Sequence, residues 1–240
     1  MNRRFAFGLL SGLLAAVSVV AAPAATAQQN QGKLLFENRC TSCHGLYLQG
    51  SPDGPPLIGK SAAAVDFMLR TGRMPAAVAW EQTIAQKPQF DDERIRAIVA
   101  YVVFAGHGNP ALPNPLPGNV AGGRALFAEN CQSCHGITGH GASVGYAQVA
   151  PSLMSAAPEQ IAEAVRIGPG VMPTFGTDVI APSELDDIVS YVGMLQNRSR
   201  ANNPGGLQLA NIGPVAEGFV AWFFGIGLLV LLCRRIGTTD

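Results

Sequence analysis

Hydrophobic residues fall on helical spacing in two well-separated stretches of the chain. Ile95, Ile98, Val99 and Val102 recur at i, i+3, i+4 and i+7 behind Asp91 and Asp92, and Leu185, Ile188, Val189 and Val192 do the same behind Pro182 and Ser183. That period puts each set on one face of a helix, opened by an N-cap residue or a proline. Tyr101 and Tyr191 occupy matching positions in the two helices. Upstream of each lies a second repeated segment, Gly32 to Arg39 and Gly123 to Asn130, at a constant offset of 91. Each copy reads as a helix with a glycine and a phenylalanine, four positions apart, on one face. Such a glycine lets another backbone approach closely, and the phenylalanine fills the space beside it. The first and last helices of each half are therefore expected to cross, glycine against aromatic.

The segments outside this repeat divide the chain. Asn109 to Gly118 holds four prolines in ten residues, a composition that leans to polyproline II and makes a semi-rigid spacer. The expected units are a first domain over 28–109, a linker over 110–121 and a second domain over 122–197. Residues 1–27 carry Arg3 and Arg4, then an uncharged run ending in Ala25-Thr26-Ala27, which reads as a signal peptide or an uncleaved N-terminal anchor. A linker over 198–214 leads to a run that is uncharged from Phe219 to Cys233 and closes with Arg234 and Arg235. Counted back to Val215, with Trp222 in the aromatic belt, 215–233 is long enough for a transmembrane helix. The arginine pair predicts a cytoplasmic tail over 234–240, with the domains on the other side of a cell membrane whose lipid the helix contacts.

Composition supports an anchored protein. Of 240 residues, 48% are hydrophobic and only 13% charged, with sixteen basic side chains against sixteen acidic ones. The span from Gly32 to His107 holds eight basic and seven acidic residues, and Gly118 to Arg200 holds four and seven. Neither half carries the strongly charged face by which a freely diffusing carrier is steered to its partner, and tethering can replace that steering. No nucleic-acid partner is expected.

Candidate chemistry lies directly after each glycine-phenylalanine helix, in Cys40-Thr41-Ser42-Cys43-His44 and Cys131-Gln132-Ser133-Cys134-His135. Two thiols two residues apart, followed at once by histidine, suit covalent attachment of a c-type haem with the histidine on its iron. A zinc site would need a second pair of ligands near each motif, and the one other cysteine, Cys233, lies in the apolar C-terminal run. Two covalently bound haems c are thus expected, held by Cys40, Cys43, Cys131 and Cys134, with His44 and His135 as axial ligands.

The ligand on the opposite face decides what each iron can do. Met74 in Gly72-Arg73-Met74-Pro75 and Met172 in Gly170-Val171-Met172-Pro173 both precede proline in a glycine-containing loop before the last helix of their half. Proline biases the preceding residue toward extended backbone, keeping each methionine out of a helix. Met68 and Met194 fall in helical patterns, Met154 has no counterpart in the first half, His107 borders the linker, and His140 is too near His135 to reach the other face of the same haem. A His/Met pair saturates the iron and leaves no open position, so electron transfer without substrate chemistry is expected.

With helix, C-x-x-C-H, Pro-x-Leu, Met-Pro and final helix in order, each half resembles a class I cytochrome c. In such domains a proline carbonyl accepts the hydrogen bond of the ligating histidine, which points to Pro55 and Pro151 in Pro55-Pro56-Leu57 and Pro151-Ser152-Leu153. The whole arrangement, with Gly72-Arg73-Met74-Pro75, Gly213-Pro214, Glu217-Gly218 and the C-terminal span, resembles the dihaem cytochrome c subunit of actinobacterial menaquinol:cytochrome c reductases, the cytochrome bc complexes. The resemblance implies an all-α fold of two tandem class I domains plus one transmembrane helix. It also implies a cytochrome b subunit and a Rieske iron-sulfur subunit as partners and a haem-copper oxidase as electron acceptor. The alternatives are the dihaem subunit of another membrane dehydrogenase or oxidase and, from a different class, a dihaem peroxidase.

Overall fold

The computed structural model of the protein describes residues 26–76, 83–145, 148–200 and 214–236. The leader or anchor expected over 1–27 lies outside them but for its last two residues, as does most of the linker expected over 198–214.

The first half opens with helix α1 over 26–39, followed by the single turn α2 (Thr41–His44), α3 (Ala62–Arg70) and α4 (Asp92–Gly106). The second half repeats that order as α5 (Val120–Asn130), α6 (Gln132–His135), α7 (Pro158–Ile167) and α8 (Pro182–Arg200). In both, the crossing of first and last helix is set by the glycine. A Cβ on Gly32 would fall on the Ala97 carbonyl and 2.8 Å from Tyr101 Cβ; one on Gly123 would fall on the Asp187 carbonyl and 2.9 Å from Tyr191 Cβ. The aromatic pairs beside each crossing are nearly superimposable in geometry, Phe36–Tyr101 at 5.5 Å and 51°, Phe127–Tyr191 at 5.4 Å and 56°. Such tilted pairs add about 0.5–1.5 kcal/mol to the burial of their rings. Around them the apolar stripes close two separate cores, Ile95, Ile98 and Val102 with Phe36 in one, Leu185, Ile188 and Val192 with Phe127 in the other.

The halves differ in what joins these helices. Domain 2 carries a two-stranded antiparallel hairpin, β1 (Ala142–Gly145) and β2 (Gln148–Ala150), with an irregularity between Ser143 and Gly145. This departs from the expected all-α fold. Its strands are four and three residues long and half exposed, too short for a period-two pattern to register in the sequence.

The proline-rich linker is held at both ends. Asn109 accepts the Ala62 N–H at the start of α3, while the N–H groups of Leu116, Gly118 and Asn119 donate to Asp186, Ser190 and Asp187 of α8. Across the junction α3 packs against α7. The C-terminal helix α9 (Pro214–Ile236) starts one residue before the expected span and ends three after it; at 1.5 Å per residue its 23 residues exceed the roughly 30 Å hydrocarbon thickness. Phe219, Trp222, Leu229 and Leu231 are all more than half exposed on it, so nothing among the described residues buries its apolar surface.

Candidate haem-binding sites

Each C-x-x-C-H motif forms because the first helix of its half runs straight into it. The Cys40 N–H bonds to the Phe36 carbonyl at 2.9 Å, and the His44 N–H bonds back to the Cys40 carbonyl at 2.9 Å; Cys131 and His135 repeat both bonds at 2.9 Å. One helical turn therefore brings both thiols to the same side. The chain then reverses at Gly45 and Gly136, both at φ 74°, where a side chain would be strained. Burial, reinforced by the second cysteine of each pair, pushes the Cys40 and Cys131 thiols up to about 11.

After the reversal the chain returns under the histidine. His44 Nδ1 lies 2.8 Å from the Pro55 carbonyl oxygen, and His135 Nδ1 lies 3.0 Å from that of Pro151. A carbonyl only accepts, so Nδ1 carries the proton in both rings and Nε2 keeps its lone pair free for a metal. Gly54 makes this approach possible in domain 1, because a Cβ there would meet the Cys43 backbone at 2.8 Å; Ser51 Oγ secures it by donating to the Cys43 carbonyl at 2.7 Å.

Met74 and Cys40 are half-buried against the first core, and Met172 joins Cys131 at the second. The two methionine loops are held by different means. In domain 1 the Met74 N–H bonds to the Met68 carbonyl at 3.0 Å, the Gln86 N–H bonds to the Thr71 carbonyl at 2.9 Å, and the Arg73 guanidinium lies 4.8 Å over the Phe67 ring. In domain 2 the loop is gripped by Arg166, whose Nη1 donates to the carbonyls of Phe175, Gly176 and Ile180 at 3.0, 3.0 and 2.7 Å. Partial burial of Arg73 and Arg166 lowers both guanidinium pKa values. Helical periodicity does not single out Arg166; the repeated spacing Arg70-x-Gly72 and Arg166-x-Gly168 is the signal in the sequence that marks it.

The other candidates lie on other elements, although Met194 shares the second core with Met172. Met194 packs on the second core from α8, Met68 lies on α3, and Met154 is half-buried in the loop before α7. His107 is the left-handed cap of α4, and His140 is exposed with its Nδ1 3.1 Å from Thr138 Oγ1. Among the described residues no group of three or more His, Cys, Asp or Glu side chains gathers into a separate metal site. Paired thiols on one turn, an imidazole with Nε2 available and a thioether on the same core suit a covalently held haem, and both halves provide this set.

The two halves match the family model described as Cytochrome C oxidase, cbb3-type, subunit III, over residues 27–102 and 118–192. Over its whole length the chain is similar to proteins called cytochrome bc1 complex cytochrome c subunit. That of Mycobacterium tuberculosis is 38% identical over 260 aligned residues, which cover 99% of this chain and 92% of that protein. The subunit of Mycobacterium leprae is 38% identical, covering 95% and 83%, and that of Corynebacterium diphtheriae is 33% identical, covering 95% and 89%.

Proposed function

The chain belongs to the family of cytochrome bc1 complex cytochrome c subunits, and from that premise we propose that it is a membrane-anchored dihaem cytochrome c linking a quinol reductase to an oxidase. In this reading it accepts electrons from a Rieske iron-sulfur protein beside a cytochrome b subunit and delivers them to a haem-copper oxidase. Each bound haem supplies a one-electron carrier. Cys40 and Cys43 hold one and Cys131 and Cys134 the other, with His44 and Met74, and His135 and Met172, as the axial pairs.

The observation that carries the reading is the duplicated histidine geometry. Both rings give their Nδ1 proton to a proline carbonyl and so present Nε2 in a fixed direction. Both halves also keep a methionine on the same core as the first cysteine. A histidine and a methionine as ligands in each half would leave no open position on the iron and so favour charge transfer over substrate binding, which separates this reading from a peroxidase. Helix α9 supports the anchor, and Arg234 and Arg235 at its end support a cytoplasmic C-terminus with both domains outside.

The family model's description as an oxidase subunit favours one competing reading, direct membership of an oxidase; the match to reductase subunits along the whole chain favours the quinol reductase. Purification of the tagged full chain from membranes distinguishes them. Cytochrome b and a Rieske protein are expected to co-purify, with two covalent haems per chain and no carbon monoxide binding after reduction. Co-purification with oxidase subunits alone, or carbon monoxide binding to either haem, would overturn the assignment.

A further inference from the structure

The contact between α3 and α7, which joins the two domains, encloses two carboxyl groups from opposite sides. Asp66 is 4% exposed and Glu163 only 2%. Asp66 is committed to α3, its Oδ2 accepting from Arg70 Nε at 2.6 Å, and Arg70 Nη1 extends the chain of bonds to Asp92 Oδ1 on α4 at 2.7 Å. Among the described residues Glu163 forms no ion pair. Its carboxyl is within hydrogen-bonding reach of Asp66, while its Oε2 is buried with no hydrogen-bond donor to it among the described residues.

Two ionised carboxylates in such a contact would repel each other with little water to screen them. A proton on Glu163 removes that repulsion and turns the pair into donor and acceptor. Among the described residues only Arg70 counteracts the repulsion, and in part. From α7, Glu159 adds negative charge; from α3, Arg70 is already shared between Asp66 and Asp92; from α4, Arg96 and Asp92 line the surrounding groove of about 1000 Å³. Burial first, and then Asp66, raise the Glu163 pKa to about 8.

We propose that Asp66 and Glu163 share a single proton across the junction, and that this proton holds the two cytochrome domains docked for electron transfer between them. The transfer step rests on the reading that each half carries a haem; the docking does not. The linkage has a definite sign. Glu163 titrates at an ordinary 4.5 when the junction is open and at about 8 when it is closed, so closing takes up one proton between those values. The closed-to-open ratio therefore falls about tenfold for each pH unit through that window and is level on either side of it.

The test uses the full chain purified with its partner subunits. Infrared difference spectroscopy across a pH titration should show the carbonyl band of a protonated carboxylic acid at neutral pH, disappearing near pH 8 and absent from Glu163→Gln. Amide hydrogen exchange, corrected for intrinsic rates, should show protection of α3 and α7 falling as the pH rises from about 5 to about 8. In Glu163→Gln, whose amide can donate to Asp66 at any pH, that protection should not change with pH. A missing acid band in the wild type, a band that survives in Glu163→Gln, or wild-type protection independent of pH would each overturn the proposal. Covalent haem is counted separately from its pyridine adduct, so failure of the dihaem reading is told apart from failure of the carboxyl pair.

Discussion

The two domains solve the same problem with one shared part and one private part. The shared part is the crossing of first and last helix and the motif at its end, where even the aromatic centroids agree to within 0.1 Å, 5.5 against 5.4 Å. The private part is the loop that carries the methionine. Both domains use backbone hydrogen bonds, Met74 N–H to the Met68 carbonyl in domain 1 and Phe175 N–H to the Val165 carbonyl in domain 2, but domain 1 adds a cation over a ring whereas domain 2 adds one guanidinium on three carbonyls. The counterpart arginine of domain 1, Arg70, is turned to Asp66 and Asp92 instead. Bond geometry constrains the attachment turn, which is the same in both halves, while two different frameworks keep the methionine out of a helix.

The largest effect is expected from removing one attachment site at a time. Replacing Cys40 and Cys43 by alanine, or Cys131 and Cys134 by alanine, is expected in each case to halve the covalent haem per chain and to drop quinol-driven oxygen consumption to background. Full flux after loss of the second pair would show that domain 2 is structural only.

Next come the crossings. Gly32→Ala and Gly123→Ala drive a methyl group into the carbonyls of Ala97 and Asp187, and each is expected to destabilise its own domain by about 3 kcal/mol. Denaturant titration read by hydrogen exchange in α4 and in α8 checks this, and unequal losses would show that the crossings are less alike than their geometry.

Arg166→Leu sharpens the private part. Three carbonyls lose their donor, so domain 2 should lose about 2 kcal/mol of stability and weaken the methionine signature of its haem, while that of domain 1 is untouched. Visible absorption of the oxidised protein, with unfolding followed at the same wavelengths, reads both effects.

The smallest expected difference concerns helix caps. Ser61 caps α3 through its side chain, which accepts from the Ala64 N–H, whereas Ala157 before α7 has no side-chain acceptor and is tied to the helix only by its backbone, its N–H donating to Gln160 Oε1 at 3.2 Å and its carbonyl accepting from the Ile161 N–H at 3.1 Å. Ser61→Ala should cost domain 1 about 1 kcal/mol, and Ala157→Ser should stabilise domain 2 by a similar amount. Thermal unfolding of the two variants measures the opposite signs.

Much of the fold was legible because it is local. The helical stripes, the repeat at a constant offset and the pairing of Gly32 with Phe36 and of Gly123 with Phe127 all lie within one or two helical turns, where periodicity is readable. The hairpin at 142–150 was not, since strands this short in a Gly- and Ala-rich stretch give neither alternation nor β-branched enrichment. Nor was the anchoring of the linker: a run of prolines predicts stiffness, but Leu116, Gly118 and Asn119 find their acceptors on α8, some seventy positions further along.

By itself the sequence determined the chemistry of attachment, because two cysteines and a histidine within five residues are brought together by a single turn of backbone wherever that turn forms. Tertiary structure alone decided how each methionine is held and how the halves meet. Arg166 reaches carbonyls up to 14 residues away, and Asp66 meets Glu163 across almost a hundred positions. The energies of such contacts depend on which groups are desolvated together, and that is settled only when separate helices pack.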